Sequence, residues 1–405
     1  MTENSASSHR WLQGWRGNLL LLVVSLVLCV AVAELALRIA GKDTPEFYRL
    51  DPDVGWRPRP EVSGWVEGET ETFVSINREG YRDVDHPLEK PANTYRIVLL
   101  GDSMTEAVEV PLDDTYWRRL IAPLQSCRTD GKAVEVINFG VNGYGTAQEY
   151  LTLKEWGLKY RPDLVLLAFF TGNDFTDNSL ALGKHEGRPY FALEDGSLDL
   201  VRRPGDQPGF EAKERWLDFR ARTIDDIRLV QLFRRASRNL RNALKYRFSP
   251  QTRTEQPGLD NAVFRPPATP AWVATWNVTE ALIAATADAA HAGGAAFALT
   301  TLSNPLQVLP DPAERLRVAR SLGVDDLTYP DRQLAAFAGA RSLTDIPLVE
   351  PMAAYAAEHH AALHGTDPQE PIGHWNTLGN QVASEALARG LCEAMAAGRL
   401  APPAR

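Results

Sequence analysis

The hydrophobic residues of this chain form one long run near the N-terminus and, further on, short runs that alternate with amphipathic stretches. The short β-branched or wholly apolar runs predict buried strands at Arg96–Leu100, Val134–Asn138, Leu164–Phe170, Ala295–Leu302 and Ile346–Val349. Helical spacing of the apolar residues predicts helices at Tyr116–Gln125, Thr146–Tyr160, Ala271–Ala292, Arg332–Ala340 and Asn376–Ala396. This alternation predicts an α/β fold with a doubly wound, flavodoxin-like parallel sheet and right-handed crossovers.

The long apolar run is a candidate membrane segment. From Leu19 to Ala33 all residues but one are apolar, and Arg10 and Arg16 precede the run. Fifteen helical residues span about 22 Å, whereas extension to Ala40 gives about 33 Å, enough to cross a hydrocarbon core of about 30 Å. Residues 1–40 are therefore predicted to be a signal anchor, and the alternative is a signal peptide cleaved near Ala33. Either way, the positive charges before the run place everything after residue 40 outside the cytoplasm.

Two segments interrupt the strand–helix alternation. Residues 41–95 are rich in proline, glycine and tryptophan and contain short alternating runs, which predict a stalk and a small β-rich lead-in. Residues 178–270 lack the strand pattern, and a stretch of that length predicts a helical insertion in the domain of residues 96–397.

The insertion contains a strongly basic stretch at residues 228–247. It has seven Lys and Arg residues and no acid, while Leu229, Phe233, Leu240 and Leu244 share one helical face. We interpret the stretch as an amphipathic helix that packs on the domain and leaves its basic face in solvent. The alternative is contact of this helix with an anionic surface, either lipid headgroups or acidic polysaccharide.

Composition narrows the function classes. The chain has 405 residues, of which 44% are hydrophobic and 23% charged, so it is typical of a folded protein. Its net charge of −9 argues against nucleic acid as a partner, because phosphate binding needs a basic surface. Three cysteines are too few for a disulfide scaffold. Cys127 and Cys392 fall on the first and last helices of the sheet domain, where they form either a disulfide or two buried thiols.

Candidate chemistry follows the ends of the predicted strands. Ser103 stands in Gly101-Asp102-Ser103-Met104-Thr105 directly after the first strand, and the glycine-rich run Asn138–Gly145 follows the second. Gly172-Asn173-Asp174 follows the third strand, and Gly373-His374-Trp375-Asn376 opens the last helix. In an open parallel sheet, functional groups gather at the carboxyl ends of the strands. Together these residues supply a serine, two oxyanion donors and a base.

These blocks, in this order, resemble the SGNH (GDSL) hydrolase superfamily. RIVLLGDSMT is similar to the serine block, NFGVNGYG to the glycine block, TGND to the asparagine block and HWNTLG to the histidine block. The resemblance covers about residues 95–396, and the segment after the apolar run looks like a membrane-anchored, extracytoplasmic branch. It implies an SGNH-type fold with Ser103 as nucleophile and His374 as general base. The oxyanion hole would consist of the Ser103 amide, Gly143 and Asn173, with no cofactor and no metal.

The sequence departs from the family pattern at the acid of the catalytic triad. The family has an Asp three residues before the His, and Pro371 occupies that position here. Glu370 ranks first as the residue that orients His374, followed by Asp367. The remaining alternative is a Ser–His dyad with a backbone carbonyl as the orienting group. Thr171, at a position where the family usually has glycine, is a milder change.

The resemblance implies an extracytoplasmic serine esterase or deacylase that acts on O-acyl esters of carbohydrate or lipid. A first alternative is an O-acetyltransferase of a surface polysaccharide, because the HWN form of the histidine block resembles the alginate and cell-wall acetylation branch. A second is a catalytically inactive, membrane-anchored glycan-binding protein, which would explain Pro371. The expected location is the cell membrane, with a single pass and a periplasmic catalytic domain.

Overall fold

The computed structural model describes residues 6–183, 185–248, 259–367 and 371–401. The helices are α1 (Ala6–Ile39), α2 (Ser103–Glu106), α3 (Tyr116–Cys127), α4 (Thr146–Glu155), α5 (Asp174–Asp177), α6 (Phe210–Thr223), α7 (Arg228–Phe248), α8 (Pro270–Ala292), α9 (Pro312–Ser321), α10 (Tyr329–Ala340), α11 (Val349–His359) and α12 (Thr377–Ala396). The strands are β1 (Tyr48–Asp51), β2 (Gly55–Pro58), β3 (Ser63–Glu67), β4 (Glu71–Ser75), β5 (Thr94–Gly101), β6 (Ala133–Asn138), β7 (Leu164–Phe170), β8 (Tyr190–Glu194), β9 (Ser197–Arg202), β10 (Ala296–Leu302) and β11 (Thr344–Asp345).

The centre of the fold is a parallel sheet of five strands in the order β6-β5-β7-β10-β11. Numbered along the chain, this order is 2-1-3-4-5, the flavodoxin-like arrangement. All eight residues of β5 are buried, because helices cover the sheet on both faces. The predicted α/β fold with a doubly wound parallel sheet is confirmed.

Alternate residues of the sheet point into two separate hydrophobic cores. Ile97 of β5 lies in a core with buried residues of α3, α11 and α12. Val98, the next residue, lies in the opposite core with buried residues of α4, α8 and α10. The helices of the alternating pattern therefore enclose the sheet from both sides and leave its carboxyl edge for the site.

The last predicted strand differs from the structure. The strand was expected at Ile346–Val349, but β11 ends at Asp345 and helix α11 begins at Val349. Ile346 and Leu348 still donate hydrogen bonds to carbonyls of β10, at 2.9 and 3.0 Å. The apolar run therefore follows β10 only briefly. Pro351 suits the first turn of a helix, where its missing N–H leaves no bond unmade.

The lead-in contains two antiparallel hairpins, β1–β2 and β3–β4. Buried Tyr81 packs against Phe139, which directly follows β6, with ring centroids 4.5 Å apart. Within the predicted insertion, the described residues form the hairpin β8–β9 and helices α6 and α7. The lead-in thus packs on the sheet domain close to the carboxyl end of β6.

Helix α1 contains a stretch that is long and apolar enough to cross a membrane. Residues Gly14–Ile39 have a mean hydropathy of 2.8 over the most apolar window, and none of that window is buried against the protein. A helix of this kind at the N-terminus is compatible with a membrane segment or a signal sequence.

Helix α7 covers the predicted basic stretch, but it faces the domain with the opposite side from the one expected. Phe233 and Leu240 are exposed, whereas Arg228 and Arg235 contact carboxylates of the lead-in. The expectation of an apolar face packed on the domain is wrong. Acidic groups on the domain surface attract the basic side of the helix instead.

Cys127 at the end of α3 and Cys392 in α12 form a disulfide, with Cα atoms 6.0 Å apart. The alternative of two buried thiols is therefore wrong. The bond joins the first and last helices around the sheet, which lie side by side on one face.

Candidate active site

The candidate nucleophile lies on the turn that connects β5 to α2. Ser103 is the first residue of α2, and the carboxylate of Asp102 caps this helix by accepting a hydrogen bond from the Met104 amide at 2.9 Å. A Cβ atom at Gly101 would overlap the side chain of Thr105, so this turn requires glycine. The tight turn holds the Ser103 hydroxyl at the carboxyl edge of the sheet.

The two strands that flank β5 carry the predicted oxyanion donors. Gly143 follows β6 with a left-handed φ of 74°, and Asn173 follows β7 at the N-terminus of α5. The Asn173 side chain does not cap α5, and its Oδ1 atom is buried with no hydrogen-bond partner among the described residues. Ser103 therefore follows the central strand of three, with one candidate donor after the strand on each side.

The structure brings Ser103 into contact with His374. The Nε2 atom of His374 lies 2.8 Å from the Ser103 hydroxyl oxygen, although 271 residues separate the two. His374 belongs to the loop before α12, and Asn376 fixes that loop by capping α12 through a hydrogen bond from the Gly379 amide at 2.9 Å. A hydroxyl and an imidazole at this distance have the geometry of a nucleophile and its general base.

Two glutamates that the sequence analysis did not identify contact the other side of His374. Glu69 accepts a hydrogen bond from Nδ1 through Oε1 and one from the His374 backbone N–H through Oε2, both at 2.8 Å. Oε1 of Glu109 lies 3.2 Å from the same Nδ1. Glu370, which the sequence ranked first for this position, lies outside the described residues.

Glu69 reaches the site from the turn of the β3–β4 hairpin. Thr70 next to it donates a hydrogen bond to the Glu109 carbonyl at 2.7 Å, which joins the hairpin to the segment after α2. Gly373 has a φ of 84°, and a Cβ atom there would overlap the Glu69 carboxylate. In the sequence, Pro371 alone indicated that the acid that orients His374 does not come from the position three residues before it. No local pattern points to a residue 305 positions away.

A buried arginine fixes the segment that carries Glu109. Arg82 donates to the carbonyl of Glu106 at 2.8 Å and also to the carbonyls of Ala107 and Val110. Burial lowers the pKa of Arg82 to about 10, although nearby Glu106 and Glu109 favour its charged form. The guanidinium thereby holds three carbonyl groups in place at the end of α2 and just after it.

The lead-in also supports the glycine-rich loop after β6. The Tyr48 hydroxyl and the backbone N–H of Asn142 both donate to one carboxylate oxygen of Glu106, at 2.8 and 2.6 Å. The indole N–H of Trp56 donates to the Asn142 carbonyl at 2.9 Å. These contacts fix the residue directly before Gly143, and with it the position of the Gly143 amide.

The carboxylates set the charge state of the imidazole. Burial alone would lower the pKa of His374, but the negative charges of Glu109 and Glu69 raise it to about 9. Burial favours neutral Glu69, yet the hydrogen bonds from His374 outweigh it and lower the pKa of that carboxyl. Burial raises the pKa of Glu109. Glu69 is therefore the better ionised partner for an imidazolium.

These three side chains are also the ones that could hold a metal ion within the described ranges. One ligand atom each from Glu69, Glu109 and His374 lies within 4.8 Å of the others. Two hydrogen bonds from His374 to Glu69 account for the proximity of these two residues, and one of them uses the Nδ1 atom that a metal at this site would need.

No protein-family model and no curated protein matches the chain. Among solved structures, it is similar to a lipase/acylhydrolase from Enterococcus faecalis, with 14% identity, a TM-score of 0.36 and coverage of 77% of this chain and 100% of the other. It is also similar to a catalytic mutant of an acetylxylan esterase from Geobacillus stearothermophilus, with 10% identity, a TM-score of 0.37 and coverage of 73% and 94%.

A third similar structure is a GDSL-like lipase from Bacteroides thetaiotaomicron, with 11% identity, a TM-score of 0.32 and coverage of 75% of this chain and 89% of the other.

Proposed function

We propose that the protein is an SGNH-type serine esterase that removes O-acyl groups from carbohydrate or lipid outside the cytoplasm. The observation that carries this proposal is the continuous chain of hydrogen bonds from the Ser103 hydroxyl through His374 to Glu69. This arrangement of a nucleophile, a base and an orienting acid recurs on unrelated folds as an acyl-transfer centre.

The proposed reaction uses each group at a defined step. The Ser103 oxygen attacks the ester carbonyl while Nε2 of His374 takes its proton, and Glu69 stabilises the resulting imidazolium at Nδ1. The Ser103 and Gly143 amides and the Asn173 side chain donate to the developing oxyanion. His374 returns the proton to the leaving alcohol. Water then attacks the acyl-enzyme with the same base, which releases the acid and restores Ser103.

Glu69 bears on the choice between an enzyme and an inactive glycan-binding protein. The binding hypothesis rested on Pro371, which removes the acid from its usual place. A carboxylate that bonds to both the imidazole and the backbone N–H of His374 supplies the missing function from the lead-in. The geometry therefore supports catalysis over loss of activity.

An O-acetyltransferase of a surface polysaccharide is the second candidate, supported by the HWN form of the histidine block. It forms the same acyl-enzyme on Ser103, and a sugar hydroxyl then takes the place of water. Measuring acetate release with and without an acceptor oligosaccharide separates the two candidates, because a transferase forms acylated sugar at the expense of free acetate.

We further propose that α1 anchors the protein and that the catalytic domain lies on the extracytoplasmic side, in the periplasm of a bacterial cell. The arginines before the apolar run favour this orientation. The disulfide between Cys127 and Cys392 supports it, because such bonds persist in oxidising compartments.

Hydrolysis of a chromogenic acetyl ester by the full-length protein in detergent tests the proposal. We expect turnover in excess EDTA, loss of turnover in Ser103→Ala, and unchanged turnover in Ser321→Ala, an exposed serine on α9. Equal rates for the wild type and Ser103→Ala would refute the assignment of the nucleophile.

A further inference from the structure

Helix α7 presents an apolar stripe to the outside of the domain. Four large apolar side chains have exposed fractions between 47% and 74%: Leu232 47%, Phe233 74%, Leu240 62% and Leu244 48%. Their spacing places them along one side of the helix. In water, such a stripe is the side that a helix normally buries, so its outward orientation indicates an apolar or interfacial environment.

Ion pairs fix α7 in this orientation. Arg228 donates to Asp43 at 2.6 Å, and Arg235 pairs with Glu67 at 2.9 Å. Arg234 pairs with buried Asp225 at 2.9 Å. By helical spacing, Arg228 and Arg235 lie on the side of the helix away from Phe233 and Leu240, and Arg234 lies at the flank between the two sides. The helix cannot turn its apolar side inward without breaking these contacts.

The start of α7 is joined to the end of the membrane segment. The Glu34 carboxylate of α1 accepts hydrogen bonds from the backbone N–H groups of Arg228 and Leu229, both at 3.0 Å. Arg38 donates to Asp226, just before α7, also at 3.0 Å. The exposed stripe therefore begins where α1 leaves its apolar stretch, at the level of a membrane surface.

Helix α6 adds two exposed aromatic residues. Trp216 and Phe219 are each 54% exposed, and their ring centroids lie 5.9 Å apart. Aromatic rings of this kind concentrate at membrane–water interfaces. Arg238 on the other side of α7 lies 3.8 Å from the Glu67 carboxylate, and because its side chain is about half exposed, its guanidinium can also contact lipid phosphates.

We propose that α7, together with Trp216 and Phe219, lies in the interface of the same bilayer that α1 crosses. The apolar stripe faces the acyl chains at a shallow depth, as in other interfacial helices, and Arg238 reaches the headgroups. The catalytic domain is thereby held against the membrane at a second place and cannot swing freely about the anchor. This inference rests on the proposed insertion of α1.

Site-specific labelling in proteoliposomes tests the placement. The full-length protein is reconstituted in phosphatidylcholine vesicles, with and without phosphatidylglycerol, and carries one environment-sensitive fluorophore on a single reactive cysteine. Phe233→Cys and Leu240→Cys report on α7, and Leu316→Cys on α9 is an exposed apolar control. These variants carry Cys29→Ser, since Cys29 is the free cysteine among the described residues. The wild type, labelled at Cys29 inside α1, reports insertion of the anchor.

We expect nitroxide-bearing lipid to remove most of the emission at the two α7 positions and little at Leu316→Cys. A nitroxide near the headgroup should quench α7 more strongly than one near the end of the acyl chain, and the order should reverse at Cys29. A strengthening of quenching by phosphatidylglycerol would identify anionic headgroups as contacts of Arg238. Unquenched labels at both α7 positions, with Cys29 quenched, would overturn the inference while leaving the anchor intact. The apolar stripe of α7 would then be assigned to binding another protein. An unquenched Cys29 would instead refute the insertion of α1.

Discussion

The catalytic residues proposed for this protein come from three distant parts of the chain. Ser103 follows the first strand of the sheet, His374 precedes the last helix, and Glu69 lies on a hairpin of the lead-in. Sequence reasoning identified the serine and the histidine, because both belong to blocks at strand-to-helix junctions. It missed Glu69, because that residue acts through a contact between segments and carries no local signature. The roles of Ser103, His374, Gly143 and Asn173 stay predictions.

Glu69 is the first residue to change. Glu69→Gln keeps the shape of the side chain, but its amide can donate to Nδ1 and so favours the tautomer in which Nε2 carries a proton. That tautomer cannot accept the Ser103 proton, and a comparable exchange in a known triad costs about 10⁴ in turnover. We expect kcat for an acetyl ester to fall by about this factor with little change in KM.

Glu370→Gln is the matched control for Glu69→Gln, because Glu370 stands beside Pro371 in sequence. We expect its kcat to stay near the wild-type value. Full loss of activity in Glu370→Gln together with a normal Glu69→Gln enzyme would return the role of the orienting acid to Glu370. Melting temperatures of both variants are measured alongside, and values close to that of the wild type would exclude a folding defect as the cause of lost activity.

The raised pKa of His374 predicts an alkaline activity profile. A general base works in its neutral form. Because the pKa of His374 is about 9, its imidazole is protonated in most molecules at any lower pH. kcat/KM should therefore rise about tenfold per pH unit through the neutral range and level off near pH 9.

Glu109→Gln tests the cause of that profile. It removes a negative charge that faces Nδ1, so the pKa of His374 falls and the rise in kcat/KM moves to lower pH. Glu358→Gln, at an exposed position on α11, is the control that leaves the profile in place. A wild-type profile that is flat from pH 6 to pH 9 would contradict the raised pKa.

At the scale of elements, the apolar pattern predicted the strands better than it predicted how the added segments pack. β5 and β7 are buried on both faces, and in the sequence β7 is a continuous apolar run, while β5 contains the apolar run Ile97–Leu100. The β3–β4 hairpin was anticipated as part of a β-rich lead-in. Its contact with His374 depends on the fit of Glu69 against Gly373 and on the bond of Thr70 to Glu109, and both join segments that are distant in sequence. The orientation of α7 depends on ion pairs with other segments, and a helical pattern alone contains none of that information.

The Cys127–Cys392 bond should contribute measurably to stability. It closes a long loop between α3 and α12, and a native disulfide of this kind is typically worth about 2–4 kcal/mol. The double variant Cys127→Ser/Cys392→Ser should melt at a lower temperature than the wild type, and reductant should destabilise only the wild type. Cys29→Ser is the control. Wild-type melting that is indifferent to reductant, with no change in gel mobility, would argue against the bond.

At the scale of the whole molecule, a sheet domain forms the frame, while the lead-in and the insertion complete the site and the outer surface. The frame was predictable because strand–helix alternation in the sequence leads directly to a doubly wound sheet. The placement of the added segments was not predictable, because contacts between segments position the β3–β4 hairpin, α6 and α7. The domain boundaries at residues 40, 95 and 178–270 stay predictions.

Membrane topology is a prediction for the whole chain. Alkaline phosphatase fused after Arg405 should be active in a bacterial host. Green fluorescent protein fused at the same position should be exported with the chain and remain dark. The protein should stay in the membrane after an alkaline carbonate wash and keep its N-terminal segment. Release of a soluble protein that lacks the residues before Ala33 would favour the cleaved signal peptide. A bright fluorescent fusion with an inactive phosphatase would contradict the orientation.

The most direct test of the central claim is labelling with a fluorophosphonate, which reacts with an activated serine and not with an ordinary one. Labelled full-length protein is digested, and mass spectrometry locates the modified residue. We predict a single adduct on Ser103, absent in Ser103→Ala and formed far more slowly in Glu69→Gln. No adduct on Ser103 in the wild type, or equally fast labelling of the wild type and Glu69→Gln, would contradict a serine activated through His374 by Glu69.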